Sequence, residues 1–191
     1  MKILVLGMGN DLYGDDGVGL HAVRLLKDEW ADGATPGEPS SSVEFVECLL
    51  SGAALLDVIH GHDALVVIDT IMKAEPLTGR ISILEAADIR DFPGPSPHYV
   101  SVPQVLAIGR EIGLKMPRTV VIIAVEAKDL FRLGEGLSED MHTRLPDILE
   151  VAKDVLHGLA AQPAEWVDRL RRIRCRSRSL DGRRLGRQSE V

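Results

Sequence analysis

Asp16, Asp69 and His98 are the side chains whose types and settings could do chemistry together. Two carboxylates and an imidazole make an O,O,N donor set suited to a borderline divalent ion such as Ni2+ or Zn2+, with positions left for water or another ligand. The same carboxylates could move protons. Each residue also has a plain structural role available. Asp16 can point outward from the first turn of a helix, Asp69 can cap the end of a strand, and His98 in "SPHYV" can cap or pack at a helix start. Asp15, beside Asp16, is expected to cap the helix near 17–29, where a carboxylate accepts backbone N–H groups and favours the dipole.

Other chemistries fit less well. Gly7 and Gly9 in "GMGNDLYGDDG" supply half of a dinucleotide fingerprint, but Leu12 stands at the third glycine position. Asp15 and Asp16 would meet a pyrophosphate with like charge, so no nucleotide cofactor is expected. His21 fits within the first helix as a surface or packing residue, and His60 and His62 in "HGH" do not make HExxH. Ser51, Ser96 and Ser101 lack a G-x-S-x-G elbow. Cys48 has no adjacent base and reads as a small buried side chain; with Cys175 it makes neither a CxxC pair nor a disulfide framework.

The elements that must position these residues alternate. Strands are expected at 2–6, 43–47, 64–69, 79–85 (at an edge) and 119–126, with "ALVVID" ending on Asp69. Helical patterns occupy 17–29, "SGAALLDVI", 102–112 and 139–156, and the Pro-rich "FPGPSPH" breaks structure before the third. Such alternation predicts a three-layer α/β/α sandwich around a largely parallel or mixed sheet. Ligands of such sheets sit in a crevice beyond the C-terminal strand ends, where Asp16, Asp69 and the His98 loop are expected to meet.

The 191 residues suit one core domain, taken as 1–160, followed by an Arg-rich extension over 161–191 expected to be flexible. Residues 167–191 hold nine Arg against Asp168, Asp181 and Glu190, a local +6, so the other 166 residues carry −13 of the net −7. An acidic body argues against general nucleic-acid binding. No apolar run reaches the roughly 20 residues that span a bilayer. The N-terminus runs straight into strand residues without a cleavage site, which predicts a cytoplasmic protein.

Five ordered segments, "ILVLGMGNDLYGDDGVG", "HDALVVIDTI", "SPHYVSVPQVL", "VVIIAVE" and "GEGLSEDM", cover roughly residues 1–156. Together they resemble the hydrogenase maturation proteases, nickel-dependent endopeptidases that trim the large subunit of NiFe hydrogenases. The resemblance implies an α/β/α fold, metal ligands at Asp16, Asp69 and His98, catalytic carboxylates at Asp16 and Asp69, and turn-shaping roles for Gly9 and Asn10. It implies nickel presented by the substrate, and as partner a large-subunit precursor losing a C-terminal peptide, with other maturation factors possible. A non-catalytic precursor-binding or nickel-handling factor is the alternative. One departure stands out. Where the family often has an acid followed by Gly-Gly-Thr, this chain has "ECLLSG" at 47–52, which keeps Glu47 but changes the groove beside it.

Overall fold

The computed structural model describes residues 1–32, 42–85, 101–128, 130–134 and 136–161. Five strands form one sheet: β1 (Lys2–Met8), β2 (Ser42–Cys48), β3 (Ala64–Ile71), β4 (Ile81–Glu85) and β5 (Thr119–Glu126), in the order β2-β1-β3-β5-β4. β2, β1, β3 and β5 run parallel, while β4 closes one edge antiparallel to β5. The expected edge strand and mixed sheet are therefore both present. The helices are α1 (Val18–Asp32), α2 (Leu55–Ile59), α3 (Ser101–Glu111) and α4 (Glu139–Ala161).

β3 is buried at all eight positions, which is why "ALVVIDTI" is nearly continuously apolar instead of alternating. Leu4, Leu6 and Met8 of β1 and Leu65, Val67 and Ile71 of β3 share one core with Leu55 and Ile59 of α2 and Val102, Val105 and Leu106 of α3. The alternate positions face α1, which packs on β1, β2 and β3. Glu29 of α1 pairs with Lys153 of α4, so α1 and the first part of α4 share that second face. Helices thus cover both faces, as expected. Full burial of each large aliphatic chain contributes about 1.5–3 kcal/mol, so this double-sided core carries the sheet.

Several element ends differ from the sequence reading by a few residues, and those of β3 and α4 bear on the site and the domain bounds. β3 continues past Asp69 to Ile71, since Asp69 still pairs with Ala124 of β5 although pairing with β1 ends at Gly7–Ile68. Asp69 is therefore fully buried inside the strand rather than at its tip. In addition, α4 runs five residues beyond the expected 156. Met1–Lys153 form one compact unit, and Asp154–Val191 a second that contains the last residues of α4; the rest of the expected Arg-rich extension lies outside the described residues.

Candidate active site

The strand order places a reversal between β1 and β3: the chain leaves β1 toward β2 on one side and returns to β3 on the other. In parallel sheets such a point opens a crevice beyond the C-terminal strand ends. The turn after β1 folds tightly into it because four glycines leave no side chain in the way. A Cβ on Gly7 would lie 2.2 Å from the Gly19 carbonyl oxygen, and one on Gly9, whose φ is +136°, would lie 1.8 Å from that of Asp16. A Cβ on Gly17 would meet the Asp11 carboxylate at 2.7 Å, and one on Gly19 the Met8 and Ile68 carbonyls at 2.3 and 2.4 Å. Asn10 fixes the tip: its side-chain oxygen accepts the Leu12 N–H at 3.0 Å and its carbonyl the Tyr13 N–H at 3.0 Å. Gly9 and Asn10 thus shape the turn as expected. The 3-10 turn Gly14–Gly17 that follows carries Asp15 and Asp16 into the first turn of α1.

Thr70 joins the two candidate carboxylates. Its hydroxyl donates to Asp16 Oδ1 at 2.9 Å and its backbone N–H to Asp69 Oδ1 at 2.8 Å. Asp16 is 8% exposed, Thr70 1% and Asp69 fully buried. No cation among the described residues pairs with Asp16. Both carboxylates are buried and reach the same residue, and burying anionic oxygens favours a cation beside them. As donors, Asp16 and Asp69 could supply oxygen from two of the three groups anticipated. His98 lies outside the described residues, and among the described ones no group of three His, Cys, Asp or Glu gathers as a metal cluster.

Asp15 does something other than cap the helix next to it. Its two oxygens accept the Ser138 N–H at 2.7 Å and the Ser138 hydroxyl at 2.9 Å, 123 residues away. Ser138 Oγ in turn accepts the Met141 N–H at 3.2 Å, the geometry of an N-cap on α4. The expectation failed because a dipole argument sees only the local helix, and the better donors came from a distant one.

Three further features escaped the sequence reading. Thr70 is one. A second is the Arg24 fork, which donates Nε to Glu47 Oε1 at 3.3 Å and also reaches Asp11, with His21 Nε2 3.6 Å from Asp11. The hydrogen bond to Glu47 holds the Arg24 guanidinium above its usual range. Glu47, the acid retained in "ECLLSG", is thus held beside the β1 turn. The third is Glu126, fully buried at the end of β5, which pairs with Lys73 and Arg80 and accepts the Leu77 N–H at 3.1 Å. It anchors the 72–80 connection at the same end of the sheet. Signals for these were absent, since each depends on partners tens of residues away.

The remaining candidates stand apart. His60 bonds the Leu56 carbonyl, and His62 the Ile59 carbonyl and Glu44, all before the start of β3 at the opposite sheet end. Cys48 is buried, and burial raises its thiol pKa, as suits an inert core residue. Ser51 is exposed, and Ser96 and the Ser101 side chain lie outside the described part of the structure.

A family model described as hydrogenase maturation protease matches residues 23–155, a span that holds Asp69 and His98 and begins after Asp16. A hydrogenase expression/formation protein HupD of Thiocapsa roseopersicina is 30% identical over 169 residues, covering 86% of this chain and 72% of the relative. The hydrogenase 2 maturation protease of Escherichia coli is 27% identical, covering 87% of this chain and 99% of that one. Among solved structures, the hydrogenase maturating endopeptidase HybD of E. coli superposes with a TM-score of 0.63 at 25% identity, over 83% of this chain and 92% of that one.

Proposed function

The chain belongs to the hydrogenase maturation protease family, and from that membership we propose a proteolysis directed by nickel carried in the substrate. The protein is an endopeptidase that removes a C-terminal segment from the large-subunit precursor of a NiFe hydrogenase, which is its partner. The finer reading concerns Asp16, Asp69 and His98. In it they complete the coordination of the precursor's nickel and so bring the scissile peptide to the crevice between β1 and β3. The observation that carries this reading is the pair of buried carboxylates joined by Thr70. Asp69 lies on the strand face packed by α3, and α3 begins three residues after His98, which supports a place for the imidazole in the set.

Nickel in the bound substrate supplies Lewis acidity at the scissile carbonyl or its attacking water. Water attack on the carbonyl carbon needs a base for the water proton and an acid for the departing amine. One carboxylate of the Asp16–Asp69 pair takes the first proton and returns it to the amine nitrogen, leaving a carboxylic acid and a free amine. Thr70 orients Asp16 for that transfer through its hydroxyl.

Incubation with nickel-loaded and apo precursor, followed by intact-mass measurement of the large subunit, tests this reading. The expected result is a defined C-terminal mass loss from the loaded form alone. Equal cleavage of both forms defeats the nickel-directed reading, and a stable complex of uncut precursor defeats the endopeptidase. Asp69→Asn and His98→Ala are each expected to lower processing about 100-fold or more while the melting temperature of the α/β body stays close to wild type. Normal processing by either variant removes that residue from the site.

A further inference from the structure

Among the described residues, nine large hydrophobic side chains are exposed, and six of them (Leu12, Leu49, Leu50, Leu77, Phe131 and Leu133) lie on connections leaving the C-terminal ends of the parallel strands. The other three lie on or just after α1 and α3. Apolar exposure of this kind gathers at one end of a molecule when that end receives a partner.

Leu12 and Leu133 are displayed rigidly. A parallel bridge joins Tyr13 to Gly134, with the Gly14 N–H donating to the Gly134 carbonyl at 2.9 Å and the Gly134 N–H to the Leu12 carbonyl at 3.1 Å. Leu12 and Leu133 each immediately precede a residue of that bridge, so the bridge holds the two leucine-bearing backbones side by side. They are 58% and 74% exposed, although the backbone behind them is fixed by the bridge, by Asn10 and by the 3-10 turn. Two leucines held in water on an ordered backbone incur only side-chain ordering entropy when a partner covers them, the property of a preorganised binding surface. The Tyr13 carbonyl, next in the chain to Leu12, accepts the Asp16 backbone N–H at 3.1 Å, so the pair lies on the same turn that carries Asp16.

We propose that Leu12 and Leu133 form an apolar docking ledge that receives a nonpolar segment of the folded large-subunit precursor next to its scissile bond. The proposal rests on the endopeptidase reading, because a precursor that delivers its peptide to Asp16 and Asp69 must cover the surface continuous with them. Phe131, two residues before Leu133, extends the exposed apolar surface on the same connection. The occupant is a protein surface rather than a free peptide end, since the recognised feature is apolar and lies beside the cut.

Steady-state cleavage of nickel-loaded precursor is measured for the full-length wild type, the Leu12→Ser/Leu133→Ser double variant and an Ile108→Ser/Ile112→Ser control. Precursor binding to each is measured in parallel by biolayer interferometry. The expected result for the leucine pair is KM and Kd raised about 10-fold or more with kcat within about twofold, and the control unchanged. Unchanged KM and Kd in the leucine variant, or an equal loss in the control, overturns the ledge. A wild type that sediments as a dimer while the leucine variant sediments as a monomer also overturns it, by making a second copy the occupant. A wild type that binds precursor but cuts none defeats the endopeptidase reading instead, and binding by the variants then decides the ledge alone.

Discussion

Thr70 serves the two carboxylates with different atoms, and only one of those atoms can be removed by substitution. Thr70→Val keeps the branched shape and the N–H to Asp69 but deletes the hydroxyl that Asp16 Oδ1 accepts. A hydrogen bond to a charged group is worth about 1.5–3 kcal/mol, so cleavage of nickel-loaded precursor is expected to fall roughly 10- to 100-fold. Thr70→Ser should restore most of the activity, and a melting temperature within a few degrees of wild type for both variants shows that orientation, not folding, was lost. Equal activity of the valine variant would show that Asp16 needs no such support. At this scale the sequence was partly legible. A carboxylate closing or following an apolar run is conspicuous, which is why Asp16 and Asp69 stood out. A threonine within such a run is ordinary strand composition, and nothing local distinguished Thr70 from a packing residue.

The elements meet the site through backbone contact. Gly19, in the first turn of α1, lies against the carbonyls of Met8 and Ile68, so a methyl group there strikes two strands at 2.3 and 2.4 Å with no flexible side chain to yield. Gly19→Ala is therefore expected to lift the start of α1 and cost about 3 kcal/mol, read as a lower urea midpoint. Gly134→Ala, which meets nothing within 4 Å, serves as the control and should stay within about 0.5 kcal/mol. Strand positions were readable because a doubly covered sheet demands unbroken apolar runs, and β5 matches its expected range of 119–126. Strand ends were less so. "ALVVID" reads as finished at an acidic residue, whereas pairing with β5 carries β3 two residues further.

The candidate site lies at one end of the sheet and a charge lock at the other. Asp63 accepts the Lys2 N–H at 2.7 Å, lies 2.7 Å from Lys115 Nζ, and its backbone bonds both Lys2 and Arg118. The hydrogen bond from Lys115, then that from Lys2, lowers its pKa from 3.8 to about 2. A depressed carboxylate pKa adds stability that is present above the unfolded value and is lost as pH falls from about 4 through about 2. Wild type and Asp63→Asn should therefore differ in urea midpoint at pH 7 and converge near pH 2; a constant gap would show that the ionised carboxylate is not what stabilises. No described helix is long and apolar enough to cross a membrane. The acidic body and the ordered motifs were legible over most of the chain, whereas the three-dimensional partners of Asp15, Arg24 and Glu126 were not, because long-range pairing leaves no periodicity in sequence. The division of labour at Asp15 and Asp16 also bears on protein engineering. One of these neighbours is tied to Ser138 and the other to Thr70, so the strand–turn–helix from Gly7 to Gly17 is not a portable cassette. Grafted onto another parallel sheet it would carry its glycines but leave both hydroxyl donors behind, and a transplant would have to include a threonine in the adjacent strand and a serine at the foot of a second helix.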